Sequence, residues 1–390
     1  MGTPEYMKFP AKEYEERCKR VRDLMGKQSL KGLFITEGTN FTYFSGGTRR
    51  MDHSRPVFML LPLQGDPIVL VHKFPEENRR REIWVEDIRI YDTMLGTPFD
   101  MVVEAMKDAG LNEGRVGAEL GFEQRLGIAF IDFMKLKDLL PRAEFVDAAD
   151  VLWDTRMIKS AEEVERHRRA CQITVEAYNS LFPSLHEGMS EREIMAMFIK
   201  LQVDLGGSAP WGSMNSGPEN YFCTGVGGPS DRRIQKGNQV WIDGGCKYRD
   251  YACDFCCAGT VGPPSDKQLK TQDMVVKITN TVVEAVRPGM KACDIDAINT
   301  AEWEKYGYDY STIDFGGGRM GHGMGLLGTE PPHIGPYDKT VIRPGMIFTI
   351  EPGMPTEFGC FQAETDVVVT EEGCEVLNKM NWDLRIISTQ

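Results

Sequence analysis

The stretch WIDGGCKYRDYACDF, residues 241–255, decides how this chain is read. It has the pattern of two short strands joined by a tight turn, with one aspartate in each arm, Asp243 and Asp254. With Tyr248-Arg249 as a two-residue loop, or residues 247–250 as a four-residue loop, Asp243 stands directly opposite Asp254. Directly opposed residues share a face of the hairpin with Cβ atoms ~4.5–5.5 Å apart, and like charges there weaken the pairing. Tyr-Arg is also poor chemistry for a two-residue turn. A cation held between the acids would compensate the repulsion. Two acids on a solvated face, or a slipped register, would remove it. The hairpin alone leaves both readings open.

The bulk properties narrow the class. The chain has 390 residues, 41% hydrophobic and 26% charged, which is ordinary for a globular protein of two or three domains. A net charge of −13 and a pI near 5.1 argue against a nucleic-acid or anionic-membrane partner, since both need a basic surface. No run of about 18 apolar residues is present, so no membrane-spanning helix is expected. The first residues, MGTPEYMKFPAKEYEERCKR, lack an apolar signal core. Tyr6 breaks the myristoylation pattern that Gly2 begins. The expected compartment is the cytoplasm. The ten cysteines are then expected as free thiols. Cys253-x-x-Cys256 has no second CxxC, and its two cysteines fall on opposite faces of one strand, so ordinary half-buried cysteines are expected rather than a zinc site.

The first third alternates short strands and helices. Strands are expected at 32–37, 41–47, 88–92, 115–120 and 143–148, with a hairpin over 56–74 turning at Gly65-Asp66. Helices are expected at 12–26, 98–110 and 123–138, giving a mixed α/β layer. A boundary follows. Ser160 to Glu163 and Ser190 to Glu193 are capping boxes that open helices running to about 182 and 204. Further helices are expected at 266–286 and from Asp294 to near Gly307. The intervening stretches are rich in strands and glycine. Residues 1–157 therefore read as an α/β N-terminal domain, and residues 158–390 as an α+β domain with helices covering an antiparallel sheet.

The second domain gathers further acids. IFTIEPGMPTEFGCFQAETDVVVT, residues 347–370, is another strand–loop–strand unit, with Glu351 at the end of the first strand and Glu364 inside the second. An acid such as Glu364, flanked by apolar residues, is costly to bury unless paired or coordinated. Upstream, FGGGRMGHGMGLLG (315–328) holds His322 between glycines, which allow close backbone approach. Four carboxylates and one imidazole suit Mn²⁺, Co²⁺, Fe²⁺ or Zn²⁺, often as two ions ~3.5–4 Å apart. Taken singly, His322 is as well read as a loop histidine and Glu351 as a solvated acid. Gly323, Gly325 and Gly328 also fit GxGxxG, but the preceding strand that a dinucleotide fingerprint requires is missing.

The ordered series V-x-I-D-G-G, a second Asp eleven residues on, GHGxG, IEPG and E-x-D-V-V-V-T resembles the pita-bread metallopeptidase family, which includes Xaa-Pro dipeptidase, aminopeptidase P, methionine aminopeptidase and creatinase. The resemblance covers nearly the whole chain. EGTNFTYFSGG resembles the creatinase-type N-terminal domain, which places the chain nearest the Xaa-Pro and creatinase branch. It implies a pita-bread catalytic domain, a homodimer and two divalent ions, Mn²⁺ first among them. It implies Asp243 on one metal, Asp254 and Glu364 bridging, and His322 and Glu351 completing the other. It further implies a metal-bound hydroxide attacking an amide C–N bond, with Glu351 as proton shuttle.

The chain departs from the family in the surrounding shell. Thr329 stands where a histidine is usual, although Glu330 is kept, and His333 lies four residues on. The histidine usual before the hairpin is missing near Cys223 or Thr224. The arginine usual after the second aspartate is missing from DFCCAGT, residues 254–260. Losing such oxyanion donors typically costs ~10²–10³ in rate. One alternative is therefore a small-metabolite enzyme on the same fold, resembling dimethylsulfoniopropionate lyase, creatinase or ectoine hydrolase. The lyase branch tends to carry an extra Asp where this chain has Gly245. A third alternative is a silent binding protein, against which the intact acids argue. Thr329, Glu330, His333, Trp211 and Tyr221 are candidate substrate contacts, with His53 and Arg55 as further loop residues.

Overall fold

The computed structural model describes residues 7–48, 55–74, 80–94, 96–217, 228–313 and 315–390. The chain divides into two compact units, Met1–Arg156 and Met157–Gln390.

In the first unit six strands form one mixed sheet in the order β4-β3-β2-β1-β5-β6. They are β1 Gly32–Ile35, β2 Phe58–Pro62, β3 Ile68–His72, β4 Asp87–Tyr91, β5 Glu113–Ala118 and β6 Arg142–Asp147. β2 and β3 are buried along their whole length. That explains why they read as unbroken apolar runs rather than alternating ones. Phe34, Phe58, Leu60, Leu70, Val116 and Phe133 share the core cluster. Of residues 41–47, expected as a strand, the first five belong instead to a helix, Gly38–Ser45. Glu37 caps it by accepting from the amides of Thr39 and Asn40, and Gly46 closes it at φ 80°. Its aromatic residues suggested a strand, but the caps prevail over that propensity. The helix expected at 123–138 starts only at Phe130. A Cβ at Gly127 would stand 1.9 Å from the Thr36 carbonyl, so this segment presses against the end of β1 and cannot be helical there. A short helix, Ala149–Arg156, escaped the sequence reading; Asp147 accepts from the Ala149 amide at its start.

The second unit carries the four expected helices, at Ala161–Leu181, Glu191–Asp204, Asp266–Ala285 and Ala292–Lys305. The capping boxes at Ser160 and Ser190 are both formed, and Ser265 with Gln268 makes a third. One sheet is ordered β18-β10-β8-β7, with β7 Ser208–Gly217, β8 Gln239–Tyr248, β10 Phe255–Val261 and β18 Arg385–Ile387. A second is ordered β12-β11-β13-β16-β17, with β11 His322–Gly323, β12 Glu330–His333, β13 Ile347–Ile350, β16 Thr365–Val369 and β17 Cys374–Val376. Tyr178, Phe198, Ile242, Phe255, Ile347 and Val368 join one core cluster, which draws on both sheets and on the first two helices.

The opening hairpin differs from expectation in its register. Its loop is Arg249-Asp250, both left-handed at φ 47° and 77°, as a two-residue primed turn demands. Tyr248 pairs Tyr251, Lys247 pairs Ala252, and Asp243 pairs Cys256. Asp254 is therefore the diagonal neighbour of Asp243, not its direct partner. The slip is two residues, so both aspartates keep the same face. The left-handed Arg249 is held by its carbonyl, which accepts from Arg166 Nη1 at 3.4 Å.

Ser160→Ala removes the acceptor for the Glu163 amide at the start of the longest helix. We expect a loss of about 1 kcal/mol in unfolding free energy, read from the urea midpoint. An unchanged midpoint would show that the box contributes nothing.

Candidate metal centre

Four structural features bring the acids together. The two arms of the β8–β10 hairpin supply Asp243 and Asp254, the end of β13 leads into Glu351, and Glu364 precedes β16. Asp243, Asp254 and Glu364 each offer an oxygen within 4.8 Å of the other two. His322 opens β11, with Nε2 3.6 Å from Asp254 Oδ2 and 3.8 Å from Glu351 Oε1. Asp254 thus belongs to both groupings.

The site is desolvated. Glu364 is 1% exposed, His322 4% and Asp254 9%. Asp243 Oδ1, Asp254 Oδ1 and Glu364 Oε1 are buried and have no hydrogen-bond partner among the described residues. Buried polar atoms are ordinarily satisfied, so three orphaned carboxylate oxygens pointing into one space mark a missing positive partner. Burial, followed by the neighbouring carboxylates, raises the protonation range of Asp243, Asp254 and Glu364 above the ordinary one. Either protons or a cation must neutralise the cluster.

The histidine is set for coordination. Its Nδ1 lies 3.1 Å from the Gly323 carbonyl, which can only accept, so Nδ1 carries the proton and Nε2 offers a lone pair to the cluster. Burial lowers its protonation range, which keeps it neutral. The glycines beside it are required by approach. A Cβ at Gly321 would stand 2.1 Å from the Thr349 carbonyl, and one at Gly323 would stand 2.2 Å from the Pro331 carbonyl.

A supporting shell holds the acids. Gln362 Nε2 donates to Glu364 Oε2 at 3.3 Å and is itself held by Trp241 Nε1 at 3.2 Å. Asn378 donates to the Glu364 carbonyl and accepts from the Asp366 amide. Asp366 was missed as a functional residue. Its Oδ2 accepts from the Asp254 amide at 3.2 Å and from Cys171 Sγ at 3.2 Å, so it fixes the backbone that presents Asp254. Burial pushes it up to about 8. The signal was present in E-T-D-V-V-V, a second acid in an apolar strand two residues after the first.

The candidate substrate contacts separate. His333 is buried and pairs His322 across β11 and β12. Glu330 is buried too, but it serves the turn, accepting from the Leu327 amide at 2.9 Å. Thr329 is exposed on that turn. Trp211 pairs Gly245 on the face that carries Asp243. Arg55 lies over the Phe74 ring in the first unit. Tyr221, Cys223, Thr224 and His53 lie outside the described residues. Cys253 and Cys256 point to opposite sides, as parity required: Cys253 Sγ meets Thr174 and Cys256 Sγ meets the Gln362 carbonyl.

Such a centre, acids and one neutral imidazole in a dry fold, defines a metal-dependent hydrolase. The comparisons identify the family. Residues 165–371 match metallopeptidase family M24, and residues 17–158 match the creatinase/prolidase N-terminal domain. The chain is 30% identical over 382 residues to Xaa-Pro dipeptidase of Pyrococcus furiosus, covering 95% of this chain and 99% of that one. It is similar to the solved prolidase of Pyrococcus horikoshii OT3, with a TM-score of 0.81, 27% identity and coverage of 95% and 99%. It is likewise similar to dipeptidase PepE of Mycobacterium ulcerans, with a TM-score of 0.83, 26% identity and coverage of 97% and 99%. The chain belongs to metallopeptidase family M24 and has that family's pita-bread fold behind a creatinase-type N-terminal domain. That family implies divalent metal, and the orphaned oxygens fit it. Among the described residues no helix is long and apolar enough to cross a membrane.

A carboxyl whose folded range is raised stabilises fully below its unfolded value and loses that contribution as pH rises through the folded one. Metal-stripped protein should therefore lose stability from about pH 4 upward, through the raised range of Asp243 and the value of about 8 for Asp366. Divalent metal should reverse the trend by binding the ionised acids. Melting temperatures measured across pH with chelator and with Mn²⁺ check this; parallel curves would count against a cation site.

Proposed function

We propose that this enzyme is an Xaa-Pro dipeptidase working with two divalent ions, Mn²⁺ first. The observation that carries the reading is the convergence of Asp243, Asp254, His322, Glu351 and Glu364, from well-separated stretches of chain, with buried acid oxygens left unpartnered. Asp243 would hold one ion, and His322 with Glu351 the other. Asp254 and Glu364 would be shared, a role supported by the place of Asp254 in both groupings. Bound ions would supply Lewis acidity and lower the pKa of a water at the site.

The chain's own residues do the rest. His322 stays neutral and fixed by its Nδ1 bond to the Gly323 carbonyl. Glu351, beside His322 and partly open at 14% exposure, takes the proton of the attacking water on a carboxylate oxygen and returns it to the leaving nitrogen. Asp366 and Gln362 keep Asp254 and Glu364 from turning away. Residues 1–157 would form the creatinase-like domain and residues 158–390 the catalytic one, in a homodimer of the kind the family resemblance implies.

Two further observations favour a peptidase over the alternatives. All five expected ligands are present, unlike the pattern expected of creatinase or ectoine hydrolase. A side chain at Gly245 would stand 2.1 Å from the Cys253 carbonyl, so the extra aspartate of the lyase branch has no room. The names of the relatives, Xaa-Pro dipeptidase and prolidase, support the same reading.

Mass-spectrometric analysis of Mn²⁺-loaded protein with a panel of Xaa-Pro dipeptides tests it. The wild type should release free proline, and Glu351→Ala should lose at least ~10³ in kcat as ligand and proton carrier together. Folded, loaded wild type that releases none would overturn the proposal.

A further inference from the structure

We propose that Cys171 is a positioning residue for the metal ligand Asp254, acting through Asp366. The assignment rests on the metal-centre reading and adds to it a donor that lies outside the five ligands. It starts from a gap in a ladder. Cys253 and Asp254 fall between the strands Tyr251–Ala252 and Phe255–Val261 and belong to neither. The Asp254 amide donates instead to a side chain, Asp366 Oδ2, at 3.2 Å. A ligand whose backbone hangs on a side chain is only as fixed as that side chain. Asp366 is held at one oxygen. Its Oδ2 accepts from the Asp254 amide and from Cys171 Sγ, the second also at 3.2 Å. Its Oδ1 is buried and has no hydrogen-bond partner among the described residues. Among those residues the Cys171 thiol is therefore the one side-chain donor that sets the plane of this carboxylate.

The thiol is suited to that task. Cys171 is fully buried on the helix Ala161–Leu181. Burial pushes it up to about 12, so its hydrogen stays available to Asp366 across the neutral range. A neutral donor also adds no charge behind an acidic centre. The same helix grips the neighbouring residue too. One turn beyond Cys171, Thr174 Oγ1 lies 3.2 Å from Cys253 Sγ and 3.6 Å from Cys246 Sγ. The register that pairs Lys247 with Ala252 and Gly244 with Phe255 sets Cys246 directly opposite Cys253, and the Cys253 amide donates to the Cys246 carbonyl at 3.1 Å. These thiols occupy the face of the hairpin away from the Asp254 carboxylate, by parity. The helix thus fixes Cys253 through Thr174, and the amide of Asp254 through Cys171 and Asp366. Both holds act from behind the metal site, where the chain has no strand pairing of its own.

The test is calorimetric binding of Mn²⁺ to metal-stripped full-length protein, with hydrogen exchange at the Asp254 amide as a second readout. Cys171→Ala removes the donor and should weaken Mn²⁺ binding by about 10- to 100-fold, as loss of a residue that orients a ligand does. Cys171→Ser keeps a hydroxyl donor and should stay near the wild-type affinity. The Asp254 amide should exchange faster in Cys171→Ala than in Cys171→Ser or wild type. On an Asp366→Ala background, Cys171→Ala should add nothing further, because the two residues act in series. Wild-type affinity in Cys171→Ala would overturn the proposal. So would equal weakening by Cys171→Ala and Cys171→Ser, since packing and not the donor would then be responsible. An undiminished effect on the Asp366→Ala background would overturn the route through Asp366. Wild type that binds no Mn²⁺ would remove the metal centre instead. Faster exchange of the Asp254 amide in Cys171→Ala would then still leave the positioning role standing, and unchanged exchange would remove it.

Discussion

The structure depends on keeping several carboxylates close together away from water. Desolvation and mutual repulsion both oppose that arrangement, and each alone would raise the acids' protonation range. No single element could hold it. The chain spreads the cost over a hairpin, a strand end and a neighbouring strand, so each acid is locked by backbone that is itself buried. The orphaned oxygens of Asp243, Asp254 and Glu364 are the residue of that compromise. A dry fold can keep them only if protons or a cation complete the set.

The shell around the acids supplies the rigidity that the acids lack. Trp241 steadies Gln362, Gln362 steadies Glu364, and Asn378 ties the backbone on both sides of Glu364 and Asp366. Asp366 then reaches across to the amide of Asp254. Two strands from different sheets are thereby coupled through side chains rather than through a ladder. Thr329, exposed on the turn before β12, takes no part in this interior frame.

Much of this was legible in the residues, and the failures have physical causes. Capping boxes at Ser160 and Ser190 announced their helices because the signal is local and chemical. The five candidate ligands were legible because each sits in a short motif where glycine or an apolar neighbour makes an acid or imidazole conspicuous. The helix at Gly38–Ser45 was not, since its aromatic residues favour a strand and the deciding cap lies in one glutamate side chain. The break before Phe130 was not, because it comes from the distant Thr36 carbonyl. Asp366 was overlooked because its partner, the Asp254 amide, lies more than a hundred residues away in sequence.

The register of the opening hairpin constrains how this site can vary. Asp243 and Asp254 share a face whether they stand directly or diagonally across, because a shift of two residues leaves parity unchanged. A shift of one would turn Asp254 toward the thiols and helix on the opposite side. An odd insertion within either strand, between its paired residues and its aspartate, would therefore misface a ligand unless a bulge absorbs it. Residues added at the turn Arg249-Asp250 itself leave the strand pairing, and so the common face of the two aspartates, unchanged.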